Sequence, residues 1–395
     1  MTKPLDGVRV LDLTRLLPGA YATLWLADLG ADVVKIEDPR GGDPARGMPP
    51  LSGGTSVYFH LLNRNKRSVT LDLRSDEAAR VLDALLRGVD ILVESFRPRT
   101  ARRLGVDAAT LCGRCPRLIH ASITGFGQTG PYVDRAAHDI NYEAMSGILS
   151  VTRSPERAPD VPRTLIADIG AAMNGAAGML AALYSRERTG AGSAIDVSIH
   201  EAALSWLLFP AASRLVPASG SDGRELPIYG RDACYNIYRT ADDRYLALGA
   251  LELKFWRAFC ERIGRPDFIP LHEAQGDDRA RTLADVRRIV RGKTQAEWLA
   301  LFADLDVCLS PVNTLDEALA DPHIVARGAV ARQGETTFVT TPITIAGETS
   351  EAAWNAARVT NVRAAPVLGQ HTDEVLAAAG VPAAARTALR ARRVI

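Results

Sequence analysis

The chain is 395 residues long, 47% hydrophobic and 24% charged, which excludes disordered and fibrous classes and leaves room for two domains with a sizeable core. Its 47 Lys and Arg stand against 46 Asp and Glu for a net charge of +1, so no global field draws it to nucleic acid or to an anionic membrane. Five cysteines, an odd number, argue against a disulfide framework and fit a reducing compartment; the lone CxxC of Cys112 and Cys115 reads as a surface turn.

In chain order, residues 8–14, 32–37, 68–73, 90–95 and 117–123 read as short buried strands. Helical segments such as 18–29 and 76–87 separate them. That alternation predicts an α/β fold with a parallel sheet covered on both faces, and ligands outside the strand carboxyl ends at Asp12–Arg15, Glu37–Arg40 and Glu94–Arg97. No stretch reaches the ~20 uninterrupted apolar residues of a membrane span. The N-terminus shows no signal peptide and ARRVI is no organelle address, so a cytoplasmic location is expected.

The stretch from Gly125 to Gly175 carries the chemistry. Gly125, Gly127 and Gly130 satisfy GxGxxG, but Pro131 follows and no βαβ unit with a later acidic residue can be drawn, so a nicotinamide or flavin site is set aside. The loop is read instead as guiding His138, which precedes Asp139, the expected N-cap of a helix. Asp168 is expected as the N-cap of a second helix built of small residues. One histidine and one carboxylate on two helix starts form an acid/base pair, with the free N–H groups of the helix starts close by. A helix N-terminus lowers the pKa of Asp168 and burial raises it, which leaves the balance open. The plainer alternatives are a surface histidine and a simple cap. No clustered His, Cys or carboxylate pattern calls for a metal.

Residues 151–163 read as a surface loop and the Pro/Gly/Ser-rich 210–228 as a linker. Large-domain sequence is expected over 1–209 and a small domain over 229–330, opened by the hairpin CYNIYRTADDRYLALGAL; strand-like segments return from 331.

The runs LDGVRVLDLTR, LADLGADVVKIE, NRNKRSVTLDLR, ESFRPR, ITGFGQTGP, AHDINY, ADIG and LGQHTDEVL, in this order, resemble the class III CoA-transferase superfamily; AHDINY with ADIG and LGALE resembles its α-methylacyl-CoA racemase branch. The resemblance implies a Rossmann-like large domain formed from both chain ends (331–395 returning to it), a smaller α+β domain, and an interlocked homodimer. It implies interconversion of (2R)- and (2S)-2-methylacyl-CoA thioesters with His138 and Asp168 as the two bases and Glu252 beside the histidine. No cofactor is implied beyond the CoA of the substrate. Arg40, Leu71, Asp72, Leu73, Arg74 and Arg97, with Ala137, Asp139, Ile140, Asn141 and Tyr142, are implied as binding positions. Arg64, Lys66, Arg67 and Arg99 extend the expected basic cluster for the CoA phosphates. Two departures stand out: Asp38 replaces an arginine, which leaves Arg40 to stand in, and Arg99 replaces a glycine. Met145, Met173 and Met179 are candidates for the acyl site. The alternatives are a CoA-transferase with Asp168 as nucleophile and a non-catalytic acyl-CoA-binding protein.

Overall fold

The first two hundred residues alternate apolar strands with helices and form one six-stranded sheet: β1 (Arg9–Asp12), β2 (Asp32–Glu37), β3 (Arg67–Thr70), β4 (Ile91–Glu94), β5 (Ile119–Thr124) and β6 (Ser193–Ser198). The structure, a computed structural model, describes residues 3–152, 158–215, 227–333, 336–358 and 362–395. All neighbouring strands run parallel, in the order β3-β2-β1-β4-β5-β6. The central strands are buried along their length, as a sheet covered on both faces requires. Strand order reverses between β1 and β4, and the crevice at that switch point is the usual ligand position in such sheets.

Five of these strands coincide with those expected. β6 does not announce itself, because SAIDVS pairs only with β5 and exposes most of its first four residues. Helices α1 (Leu17–Asp28), α2 (Ala78–Leu86), α3 (Asp139–Ser146), α4 (Ile166–Thr189) and α5 (Ile199–Ser205) complete the layers that matter here.

The chain divides into two units, one of Met1–Ala212 with Ala326–Ile395, the other of Ser213–Val325. In the first, the C-terminal segment docks on the edge strand β3. The Ser68 N–H donates to His371 Nδ1 at 3.2 Å, the His371 N–H to the Ser68 carbonyl at 2.9 Å, and the Thr70 N–H to Thr372 Oγ1 at 3.0 Å. LGQHTDEVL is therefore the plug that covers an edge that would otherwise be open to another strand. Beyond it, Leu376, Leu389, Val394 and Ile395 join Leu11, Val69 and Leu71 in one core.

In the second unit Tyr235–Arg239 and Tyr245–Gly249 form the expected antiparallel hairpin, joined by Leu309–Pro311. Helices Leu253–Arg262, Gly276–Val290 and Gln295–Leu301 accompany it, and its core holds Trp256, Phe259, Trp298 and Phe302. Part of the expected linker is helical, over Leu208–Leu215; residues 216–226, like 153–157 of the expected surface loop, lie outside the described residues.

Helix α4 lies against α1 and β5 through small residues. Ala167, Gly170, Ala171, Ala172, Gly175 and Ala176 are all buried. A Cβ on Gly175 would sit 2.6 Å from Ile123 Cδ1, and one on Gly170 would sit 2.5 Å from the Trp206 indole nitrogen. By length and composition α4 is apolar enough to cross a bilayer, and half of that apolar window is buried inside the unit.

A largely buried ion network ties β1, β2 and α1 to the segments that flank β3. Lys66 Nζ reaches Asp12 Oδ2 at 3.1 Å and also donates to Thr23 Oγ1, the Ala20 carbonyl and Asn63 Oδ1. Lys35 Nζ pairs with Asp43 at 2.9 Å, and Arg46 with Glu37 at 2.7 Å. Arg64 pairs with the buried Asp28 at 2.6 Å, and Arg67 with Asp32 at 2.5 Å. Replacing Lys66 by methionine strips the buried Asp12 of its cationic hydrogen-bond donor. Lys66→Met is expected to lose about 3–5 kcal/mol of unfolding free energy in urea titration.

Candidate active site

The loop after β5 is shaped by the residues it must pass. A Cβ on Gly125 would overlap the Tyr142 hydroxyl, and Gly127 and Gly130 take φ of +77° and +94°. Phe126 pins the loop, its ring meeting Tyr142 at 5.3 Å, Tyr132 at 5.6 Å and His200 at 5.6 Å. The Gln128 N–H donates to Asp196 Oδ2 at 2.9 Å. These contacts deliver the chain to α3.

His138, not Asp139, is the N-cap of α3, in extended conformation (φ −124°, ψ 173°). Asn141 Oδ1 accepts the His138 N–H at 3.0 Å. The imidazole is exposed. Among the described residues the N–H groups of Asp139 and Ile140, the first two of the helix, have no acceptor.

Asp168 is likewise not a cap. Helix α4 starts at Ile166 with Leu165 as its N-cap, which makes Asp168 the third helical residue. The caps come from elsewhere in the chain: the Asp168 N–H donates to Asp139 Oδ1 at 2.9 Å and the Ile166 N–H to Glu143 Oε1 at 3.3 Å. Two carboxylates of α3 thus satisfy the orphan donors and the positive end of α4. Sequence reasoning missed Glu143. Its only signal was a charged residue four positions after Asp139, on the same helix face.

Crowding three carboxyls changes their chemistry. Burial, then the neighbouring Asp139 and Glu143, push Asp168 up to about 7. Burial and the adjoining Asp139 carboxyl push Glu143 up to about 7 as well. Burial and the charge of Asp168 raise the Tyr142 phenol to about 12 against an opposing pull from Arg97, which ties Arg97 electrostatically to this group. The Tyr142 hydroxyl donates to the Ala137 carbonyl at 3.3 Å. Ile140 is exposed.

The expected CoA residues fall into separate groups. Arg40 and Arg74 form a surface quartet with Asp38 and Asp72: Arg40 reaches them at 3.0 and 2.8 Å, Arg74 at 2.8 and 3.0 Å. Two cations are there matched by two anions, so Arg40 does not offer the free charge expected of it. Leu71 is buried in the core and Leu73 packs at its edge. Arg64, Lys66 and Arg67 are corrected outright, since the ion pairs described above occupy all three. Among the described residues Arg97 has no carboxylate partner, and it is exposed at the end of β4. Arg15 lies 5.4 Å from the Phe96 ring and its N–H donates to Ser95 Oγ across the switch point. Arg99 occupies the first turn of helix Pro98–Leu104 without positive φ, so the arginine replacing glycine imposes no strain.

Met179 is fully buried in the core, whereas Met145 and Met173 are exposed at 37% and 38%. Glu252 belongs to the second unit, exposed at the N-cap of helix Leu253–Arg262. Among the described residues no group of three His, Cys, Asp or Glu is placed to hold a metal ion. A cavity of about 250 Å³ lined by Lys3, Asn65 and Arg363 touches none of the site residues.

The model of CoA-transferase family III matches residues 5–372. Human alpha-methylacyl-CoA racemase is 33% identical over 379 residues, covering 94% of this chain and 92% of that protein. Mouse succinyl-CoA:glutarate CoA-transferase is 30% identical over 380 residues, covering 95% and 86%. A crystal structure of a CAIB/BAIF family protein from Brucella suis superposes with a TM-score of 0.81 at 28% identity, covering 96% of this chain and all of that one.

Asp168 supplies a test that needs no substrate. Burial and its neighbours push it up to about 7 in the folded state from the ordinary aspartate value of 3.8, so the folded state holds the extra proton between those limits and loses stability as pH rises through them. Asp168→Asn escapes that loss. After discounting for partial exposure, the variant is expected to be about 1–2 kcal/mol more stable than the parent at pH 8, with no gain near pH 4, by denaturant titration at both pH values.

Proposed function

The chain belongs to CoA-transferase family III, whose members include racemases and CoA-transferases, and we propose that within it the protein interconverts the (2R) and (2S) forms of 2-methylacyl-CoA thioesters. The observation that carries this reading is the setting of Asp168, in the first turn of α4 against the carboxyls of α3, where burial and then Asp139 and Glu143 push it up toward neutrality, so that it can give and take a proton at neutral pH. A nucleophilic aspartate, by contrast, works best fully ionised.

In this reading His138 removes the α-proton from one face of the substrate and Asp168 protonates the other, or the reverse. The unaccepted N–H groups of Asp139 and Ile140, at the positive end of α3, receive the enolate oxygen, which stabilises charge only as it develops. Arg97, Arg15 and Phe96 at the strand switch point suit the phosphates and base of the CoA moiety. Proton exchange at carbon needs no redox group, and the CoA enters as part of the substrate. The protein acts here as an isomerase.

The deciding experiment follows the α-proton of (2S)-2-methylacyl-CoA by proton NMR in D2O, with a free carboxylic acid in a parallel sample. Loss of the α-proton signal together with racemisation is expected, falling by a factor of about 10²–10⁴ in His138→Ala. Formation of a new acyl-CoA from the added acid, with the α-proton retained, overturns the reading and makes Asp168 the nucleophile of a CoA-transferase.

A further inference from the structure

Glu143 has no solvent exposure. One carboxyl oxygen accepts the Ile166 N–H. The other, Oε2, has no hydrogen-bond partner among the described residues, and the carboxyl of Glu143 adjoins that of Asp139. Asp139 in turn accepts the Asp168 N–H, so both carboxyls of α3 press on the same helix end. Two buried carboxylates in contact do not both ionise without a large cost, and an oxygen without a donor is costly unless it carries the proton itself.

We infer that Glu143 is a positioning residue that carries a proton shared with Asp139, and that this shared proton holds the first turn of α4, and with it Asp168, in place. With the proton present, Glu143 Oε2 donates to Asp139, Asp139 stays an acceptor for the Asp168 N–H, and Glu143 Oε1 keeps the Ile166 N–H. Both oxygens of the Glu143 carboxyl are then satisfied. Losing the proton places a second negative charge beneath Asp168, so the two groups titrate as one system rather than separately. Asp139 acts on both groups, while Tyr142, also on α3, feels the charge of Asp168 and the opposing charge of Arg97. Helix α5, which packs on α3, brings His200 and Glu201 to the same region.

The activity arm of the test rests on the proton-exchange reading; the titration arm does not require turnover. Full-length protein labelled with 13C at the aspartate carboxyls is titrated by NMR, the Asp168 resonance being identified by its absence in Asp168→Asn. In the parent the Asp168 signal is expected to move in a broad two-step curve. In Glu143→Gln, which keeps a donor toward Asp139 and an acceptor for Ile166, it is expected to move in a single step with its midpoint lower by at least about half a pH unit. Superposable curves overturn the shared proton whether or not the enzyme racemises anything. For positioning, Glu143→Gln is expected to keep kcat for α-proton exchange within about threefold of the parent, while Glu143→Ala, which frees the Ile166 N–H, loses at least about tenfold in kcat with little change in KM. Equal losses in the two variants, or none in Glu143→Ala, overturn the positioning role. Should Glu143→Ala fail to fold, the glutamine variant still decides through its titration.

Discussion

The close approach of α4 to the sheet is the constraint on which the first unit depends. A helix axis normally stands off its neighbour by the length of the side chains between them. Here Gly170, Gly175 and the alanines around them remove that spacing, so Ile123 of β5 and Ala22 of α1 pack near the helix backbone. The first turn of a helix seated so deeply is partly withdrawn from water, with Ala167 buried and Ile166 and Asp168 half-buried, so its free N–H groups call for acceptors within the protein. The small residues therefore create the need that the carboxyls of α3 meet.

That need links folding to chemistry. Asp139 and Glu143 are brought to α4 as caps, and burial, then the charge borne by this carboxyl pair, is what lifts Asp168 toward neutrality. The arrangement costs stability, since three carboxyls share a region with limited solvent. It is a cost of the kind found at functional sites, where a group is kept in the protonation state that its task requires. The site's acid/base character is thus inseparable from how α4 is capped.

Elsewhere in the same unit, charge serves architecture. Lys35, Lys66, Arg46 and Arg64 are locked to carboxylates on β1, on or after β2, and on α1, and Arg40 and Arg74 are balanced by Asp38 and Asp72. Near the strand switch point, Arg15 and Arg97 form no ion pair with a carboxylate among the described residues and remain available to an anionic ligand. Of the basic residues expected to meet the CoA phosphates, Arg40, Arg64, Lys66, Arg67 and Arg74 are paired with carboxylates within the fold, whereas Arg97 is not.

Much of this was legible in the sequence. Buried runs such as VRVLDLT and DVVKIE alternate with helices at a spacing that only a parallel sheet satisfies, because period and hydrophobicity are local properties. The motifs around His138 and Asp168 placed the chain in its family, and the glycines of GFGQTG identified a constrained loop. The polar edge strand β6 escaped, since its only pairing is with β5. So did the caps of α4: Leu165 is a poor cap by type, and the acceptors lie more than twenty residues away on another helix. Composition likewise could not tell a cation free for a ligand from one bound to Asp12 or Asp28. The sequence by itself determined the elements, their order and the pair of candidate bases, because each depends on residues near one another in the chain. Only the tertiary structure decided which charges neutralise each other, where Glu143 goes and what protonation state Asp168 holds, because desolvation and Coulomb interactions act between groups that the chain keeps apart until it folds.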